Sequence, residues 1–243
     1  SGSQGIGYAY ESIKYGLQDF MIAGGAEELS VSEAVMFDVL YVTSVNNQNP
    51  KQTPAPFDKN RDGLVIGEGA ATLILEDLET AQSRGAKIYA ELLGYGANSD
   101  GEHLTAPAVS GMKKVMELAL EDANLPPEAI GYLNAHGTAT EVGDIAESAA
   151  TNKVFGDRIP ISSLKGHFGH TMGACGALET WMTLQMAREN WFAPTLNLHE
   201  VDPRCAQLDY LQDEGRQLEV EYVMCNNFAF GGVNTSLIFK KWN

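Results

Sequence analysis

The sequence predicts an α/β fold, a layered sheet domain with helices between its strands, and three observations carry that reading. Short apolar, β-branched runs alternate along the chain with stretches of helical spacing, the order that builds mostly parallel sheets. Leu64–Glu76 (LVIGEGAATLILE) lies over Phe228–Lys240 (FAFGGVNTSLIFK), and Gly5–Ile13 (GIGYAYESI) over Gly173–Trp181 (GACGALETW), in the same order and at nearly the same offset. Such a pair of faint matches points to a duplicated architecture. Finally, 243 residues at 44% hydrophobic content, without low-complexity runs, suffice for a full core in one large or two small domains.

The elements follow in order. Ile6, Tyr10, Ile13 and Leu17 predict a helix closing near Gly16, so Ser1–Gly7 reads as a domain interior rather than a disordered lead-in. Phe20–Ala23 predicts a short buried strand running into a turn at Gly24-Gly25, with Glu27 and Glu28 solvated. Ser30–Leu40 suits a helix carrying Met36 and Phe37, and Val42–Phe57 a surface loop. Asp58–Gly63 is a charged turn into Leu64–Leu75, two strands or one bent strand broken at Gly67–Gly69. Asp77–Arg84 forms a short helix, Ile88–Gly94 a strand, and Gly94–Pro107 a long loop in which His103 is an ordinary loop residue.

Ser110 is placed to cap a helix with apolar residues at Met112, Val115, Met116, Ala119, Leu120 and Ala123, stopped by Asn124 and Pro126-Pro127. A strand at Ile130–Asn134 precedes a helix, Glu141–Val154, whose stripe is Val142, Ile145, Ala146, Ala149 and Ala150. A strand at Ile159–Ser163 leads to a helix from about Ala174 with Leu178, Trp181, Met182 and Met186. Pro194–Gly215 is loop-like, and Tyr222–Phe228 and Asn234–Phe239 are closing strands.

No apolar run reaches transmembrane length and no signal-peptide pattern opens the chain, which predicts a soluble, cytoplasmic protein. A net charge of −16 argues against nucleic acid and anionic membrane as partners. Cys175, Cys205 and Cys225 are odd in number and lack CxxC spacing, so neither a disulfide framework nor a zinc site is expected.

Two stretches carry chemistry. Ser162–Gly176 (SSLKGHFGHTMGACG) places one Lys and two His among small residues that let a ligand approach the backbone. Alone it reads equally as a Gly-rich turn with solvated charges. The second stretch, Asn134–Thr140 (NAHGTAT), leaves a strand end, a place where α/β sheets form ligand sites. His136, Lys165 and His170 lack an evident third carboxylate or thiolate ligand for a metal. They suit acyl chemistry, in which two imidazole N–H groups hold an oxyanion and a Lys fixes a tautomer.

NAHGTAT, SSLKGHFGHTMGACG and Asn226–Phe239 (NNFAFGGVNTSLIF) resemble the three C-terminal motifs of the β-ketoacyl-acyl-carrier-protein synthases, elongating condensing enzymes of the thiolase superfamily. Phe57–Glu79 resembles the same family, and the aryl-polyene type II group is the subgroup suggested. The resemblance implies a thiolase-like duplicated α-β-α-β-α layered fold with its first half incomplete. Residues 1–86 would be the remainder of the N-terminal half and 87–243 the C-terminal half.

It further implies decarboxylative condensation of malonyl-carrier with an acyl-enzyme thioester, without a cofactor beyond the carrier's phosphopantetheine. His136 and His170 would hold the enolate oxygen, and Lys165, paired with Glu147, would order the pocket. The backbone N–H of Phe228 would complete the acyl oxyanion hole, its ring acting as a gate. Thr138 and Thr140 would bond the pantetheine arm, while Phe37, near a dimer interface, and Phe230 would meet the substrate. Helical spacing alone would leave Glu147 solvated.

Two departures stand out. The family's nucleophilic Cys, aligned on Ile6-Gly7, would fall two residues before Ser1, so the chain reads as the part beginning just after it and as inactive alone. Cys175 is read as structural. Val45 stands where the family offers a basic residue for its acidic carrier. The resemblance implies a homodimer, or a heterodimer with a paralogue. The chief rival is a silent chain-length factor, against which retention of both His argues. A thiolase would place a Cys in the last motif, and a non-enzymatic scaffold leaves the polar constellation without purpose.

Overall fold

The computed structural model describes residues 1–242. Its elements are α1 (Gly2–Lys14), β1 (Phe20–Glu27), α2 (Val31–Val39), β2 (Gly69–Glu76), α3 (Leu78–Ser83), β3 (Ala90–Ser99), α4 (Val109–Ala123), β4 (Ile130–Asn134) and α5 (Glu141–Phe155). There follow β5 (Pro160–Ser162), α6 (Lys165–Phe168), α7 (Met172–Glu189), β6 (Trp191–Phe192), β7 (Asp209–Tyr210), β8 (Arg216–Gln217), β9 (Tyr222–Ala229) and β10 (Val233–Lys241).

Six strands form the central sheet in the order β3-β10-β9-β4-β5-β7. The sheet is mixed: β9, β4, β5 and β7 run parallel, whereas β10 is antiparallel to both β9 and β3. This corrects the mostly parallel expectation. The Phe230-Gly231-Gly232 turn is too short for a crossover and can only reverse the chain.

Strand alternation builds two cores. Leu133, Met224 and Ile238 face α4 and α5, whose Met112, Val115, Met116, Ala146 and Ala150 are buried there. Their neighbours Tyr132, Val223, Leu237 and Phe239 point to the opposite face, among Ile6 of α1 and Ala177, Met186 and Ala187 of α7. Ala23, Ala71 and Leu73 of the β1–β2 pair pack on the same cluster, so the layers run α-β-α-β. A helix followed by an antiparallel strand pair thus occurs twice, as α1-β1-β2 and as α7-β9-β10.

Several local expectations are revised. β1 continues through Gly24-Gly25 because those glycines serve close approach, not a turn. A Cβ on Gly24 would strike the Ala71 carbonyl, and one on Gly25 would lie 2.9 Å from Ala174 Cα. The strand is not buried on its outer side, where Phe20 and Ile22 are exposed beside Ile74 of β2. β3 extends to Ser99, held by β10 over its whole length. Ser110 lies inside α4, whose N-cap is Ala108. On α5 the stripe is rotated: Val142 is exposed, while Asp144, Glu147 and Ser148 are buried with Ala146 and Ala150. Trp181 is likewise half-exposed on α7.

Candidate active site

β4 ends at Asn134, and the segment after it crosses the sheet edge with Gly137 at φ +34° and Ala139 at φ +64°. A left-handed alanine is unfavourable by itself, and α5 supplies the compensating bonds. One oxygen of Asp144 accepts the N–H groups of Thr138 (3.0 Å) and Ala139 (3.2 Å), and the other accepts that of Phe57 (2.7 Å). Glu147 accepts the N–H groups of His136 and Gly137, both at 2.7 Å. Three residues apart on a helix, the two carboxylates share one face and clamp the loop together. Behind them Arg61, its side chain 1% exposed, donates to Asp202 (2.7 Å) and to the carbonyls of Asp58 (2.8 Å), Thr140 (3.2 Å) and Glu141 (2.9 Å).

Lys165 opens α6 and is wholly buried. Its ammonium bonds the Glu179 carboxylate of α7 and lies 3.3 Å from His136 Nδ1. The expected Lys165–Glu147 pair is therefore not formed. Both Glu147 oxygens are taken by backbone donors, and Glu179, equally buried, reaches the ammonium instead. Asn227 of β9 donates to the second Glu179 oxygen at 2.8 Å and stands 3.5 Å from His136 Nδ1.

His136 Nδ1 thus faces two donors and must accept, which leaves its hydrogen on Nε2. His170 Nδ1 accepts the Met172 N–H at 3.2 Å, fixing the same tautomer. The two rings meet edge to face with centroids 5.1 Å apart. Burial, reinforced by the Lys165 charge, holds both imidazoles well below their usual pKa, so both are neutral. For Lys165, burial alone would favour loss of the proton, but Glu179 outweighs it and the pKa is raised. Burial raises Glu147 to about 8 and Asp144 to about 6 against the pull of their backbone donors.

A cavity of about 290 Å³ opens in front of the imidazoles. His136, Glu147, His170, Thr138, Thr140, Phe37, Phe228 and Phe230 all line it, while Lys165 sits behind the wall. The hydroxyls of Thr138 and Thr140 are 2.9 Å apart. The Phe228 ring is 6% exposed at the end of β9, between the core and the cavity wall, its centroid 6.2 Å from that of His136. Phe230, on the turn after β9, is 38% exposed and stacks on Phe37 at 5.6 Å.

Cys175 also reaches the cavity, but burial and Glu179 push its thiol up to about 12. Cys205 and Cys225 are pushed up by burial to about 11 and about 12. The helices meet here too: a Cβ on Gly2 of α1 would lie 2.9 Å from the Gly173 carbonyl of α7, and one on Gly176 would lie 2.6 Å from Ser3 N. Glu27, expected to be solvated, accepts the Gly173 N–H at 2.8 Å. His167 donates to the Pro194 carbonyl and His199 is exposed, away from the cavity. Among the described residues no cluster of three His, Cys, Asp or Glu has metal-site geometry, and no helix is long and apolar enough to cross a membrane.

Residues 1–81 match the family model for the β-ketoacyl synthase N-terminal domain and residues 89–199 that for its C-terminal domain. The chain belongs to the β-ketoacyl synthase family. Among its relatives, 3-oxoacyl-[acyl-carrier-protein] synthase 1 of Haemophilus influenzae is 44% identical over 98% of this chain and 58% of its own length. Synthase 2 of Vibrio harveyi is 40% identical over 99% of this chain and 60% of its own. The crystal structure of a β-ketoacyl synthase from Burkholderia phymatum is 62% identical, with TM-score 0.99 over all of this chain and 60% of that one. The AntDE ketosynthase, solved with a type II acyl-carrier protein and bound to a hexaketide, is 34% identical at TM-score 0.95, over all of this chain and 61% of that one. The chain therefore spans about three fifths of the length of the proteins it matches.

Proposed function

We propose that this chain provides the decarboxylation half of a β-ketoacyl-acyl-carrier-protein synthase site. The observation that carries the reading is the pair of neutral imidazoles whose Nδ1 atoms are both occupied, leaving two Nε2–H donors for one oxyanion in one cavity. The carboxylate–C2 bond of a malonyl thioester breaks and CO2 departs. The electron pair then becomes an enolate whose oxygen His136 and His170 hold. C2 of that enolate attacks the carbonyl of an acyl thioester, a C–C bond forms, and the thiolate leaves. The acyl-bearing Cys would come from outside these residues, beside the N-terminal turn of α1, whose Ser1 and Ser3 line the cavity.

Lys165 and Glu179 act behind His136 by fixing its tautomer, and Glu147 shapes the loop that carries it. The Phe228 N–H is the candidate acyl-oxyanion donor, and Thr138 and Thr140 are the candidate hydroxyls for the phosphopantetheine arm of an acyl carrier protein. Phe37 and Phe230 would border the acyl chain. We assign residues 1–86 to the N-terminal half of the enzyme and 87–243 to the C-terminal half. The partners are that half's remaining residues, the carrier, and a second subunit. The silent chain-length-factor reading is disfavoured by the intact imidazole pair and its buried support.

In the full-length enzyme, H136A and H170A are each expected to slow malonyl-carrier decarboxylation by roughly 100-fold or more. Acyl loading of the Cys should be spared. Decarboxylation at wild-type rates in both variants would refute the assignment.

A further inference from the structure

Asn227 stands in the cavity wall, 8% exposed, on β9 opposite Thr235 of β10. Its amide has one possible orientation. Nδ2 lies 2.8 Å from Glu179 Oε2, and an amide oxygen turned that way would meet the carboxylate as a second acceptor. Oδ1 is therefore left on the other side without a partner, against Gly176, where an added Cβ would lie 2.7 Å from it. A buried, unbonded amide oxygen is unfavourable, so whatever this side chain contributes comes from its NH2 group. That group faces two acceptors, Glu179 Oε2 and, at 3.5 Å, His136 Nδ1. Lys165 makes the second such bridge, bonded to Glu179 Oε1 and 3.3 Å from the same Nδ1. The carboxylate is thus one donor away from the imidazole on both paths, and each of its oxygens is already filled.

We infer that Asn227 is a positioning residue that holds the second Glu179 oxygen away from His136 and so keeps the imidazole an Nε2–H donor toward the cavity. This deepens the ketosynthase reading and rests on it only for the identity of the oxyanion that the N–H receives. Left unoccupied, Glu179 Oε2 would be the strongest acceptor near the ring and would draw the imidazole hydrogen to Nδ1. Nε2 would then turn a lone pair to the cavity and repel an enolate oxygen. The amide closes that acceptor without adding a charge.

The test compares N227D with N227S in the full-length enzyme. N227D sets a second carboxyl against Glu179, and two such groups side by side share a proton rather than both ionise. With that proton bound, the new carboxyl donates to Glu179 as the amide does. Once it is lost, the carboxylate takes the hydrogen of His136 onto the Nδ1 side. The rate of malonyl-carrier decarboxylation by N227D, divided by that of the wild type, should therefore fall about 100-fold between about pH 5.5 and about pH 8.5. The other ionisable groups facing Glu179 are Lys165 of α6, Cys175 of α7, Tyr132 of β4 and Cys225 of β9. Burial pushes both thiols up to about 12 and raises the phenol, and Glu179 raises Lys165, so none of them titrates in that range. His136, His170 and Glu147 are present in both proteins and enter both rates.

Serine brings one hydroxyl donor and no titrating group, so the N227S ratio should stay flat over the same range. Neutron diffraction should place the His136 hydrogen on Nε2 in the wild type and on Nδ1 in N227D at the upper pH. A flat ratio for N227D, a sloping one for N227S, or a wild-type hydrogen on Nδ1 would each overturn the assignment. If the wild-type enzyme decarboxylates no malonyl-carrier while the hydrogen moves as described, the ketosynthase reading falls and the positioning role stands.

Discussion

His136 and His170 reach the cavity with Nδ1 already occupied, so each has one N–H to give. That arrangement sets a pH signature. Both are held below the ordinary imidazole value, near 6.5, so the unfolded chain takes up protons before the folded one does. Stability linked to the pair is complete above about pH 6.5 and drains away as the pH falls toward the folded values. Glu147 works in the opposite sense. Its contribution is complete below the usual Glu value and is lost as the pH rises through about 8. Urea midpoints of native protein minus those of an H136N/H170N double variant isolate the first effect. The difference should shrink between pH 7 and 5, and a flat difference would deny that the pair is neutral. Glu179→Gln leaves the Lys165 ammonium buried without its counter-charge. It should cost about 3–5 kcal/mol in urea unfolding, whereas a loss under 1 kcal/mol would place the Lys165 charge elsewhere.

At the scale of elements, the strand-to-helix joints organise the site, and Arg61 is the joint that ties the turn after Phe57 to the start of α5. Its guanidinium bonds one carboxylate and three carbonyls. R61K keeps the charge but cannot span that fork, and R61A leaves buried Asp144 without its one cationic neighbour, while Asp202 keeps Arg204. We expect R61A to cost about 3–5 kcal/mol in thermal or urea unfolding, R61K to recover only part of it, and 136–141 to exchange faster in both.

Sequence patterns captured elements whose periodicity reports burial, such as α4 and β4, and gathered eight of the nine predicted site residues around one cavity. They missed where polarity is buried. Asp144 and Glu147 lie on the inward face of α5 because loop N–H groups wait there, so hydrophobic spacing put the stripe on the wrong side. Glu179 was hidden for the same reason, although the internal repeat aligned it with Glu11. Gly24 was read as a turn because a sequence does not reveal which backbone approaches a glycine.

The whole molecule carries its apolar surface unevenly. Leu17, Phe20, Ile22 and Ile74 are exposed around the outer face of β1–β2, and Val31, Val35, Val39 and Tyr41 around α2. Clusters of exposed apolar side chains mark interaction surfaces, and the second subunit and further residues proposed above would be their covers. Residues 1–243 produced alone should bind 1-anilinonaphthalene-8-sulfonate strongly and aggregate without a fixed size, and the full-length enzyme should bind the dye weakly and stop at a defined dimer. Equal dye binding by both would show that these faces stay open in the assembled protein.

The loop at 136–139 has its unfavourable shape imposed by Asp144 and Glu147, which follow it immediately on α5. Loop and clamp are therefore inherited together, as one uninterrupted stretch of chain. In a chimera between two such enzymes, a junction placed within 136–147 separates a loop from the carboxylates that shape it. A junction at Gly156, past the end of α5, moves both as a unit and leaves only Phe57, Arg61 and the Lys165 side of the site to be matched.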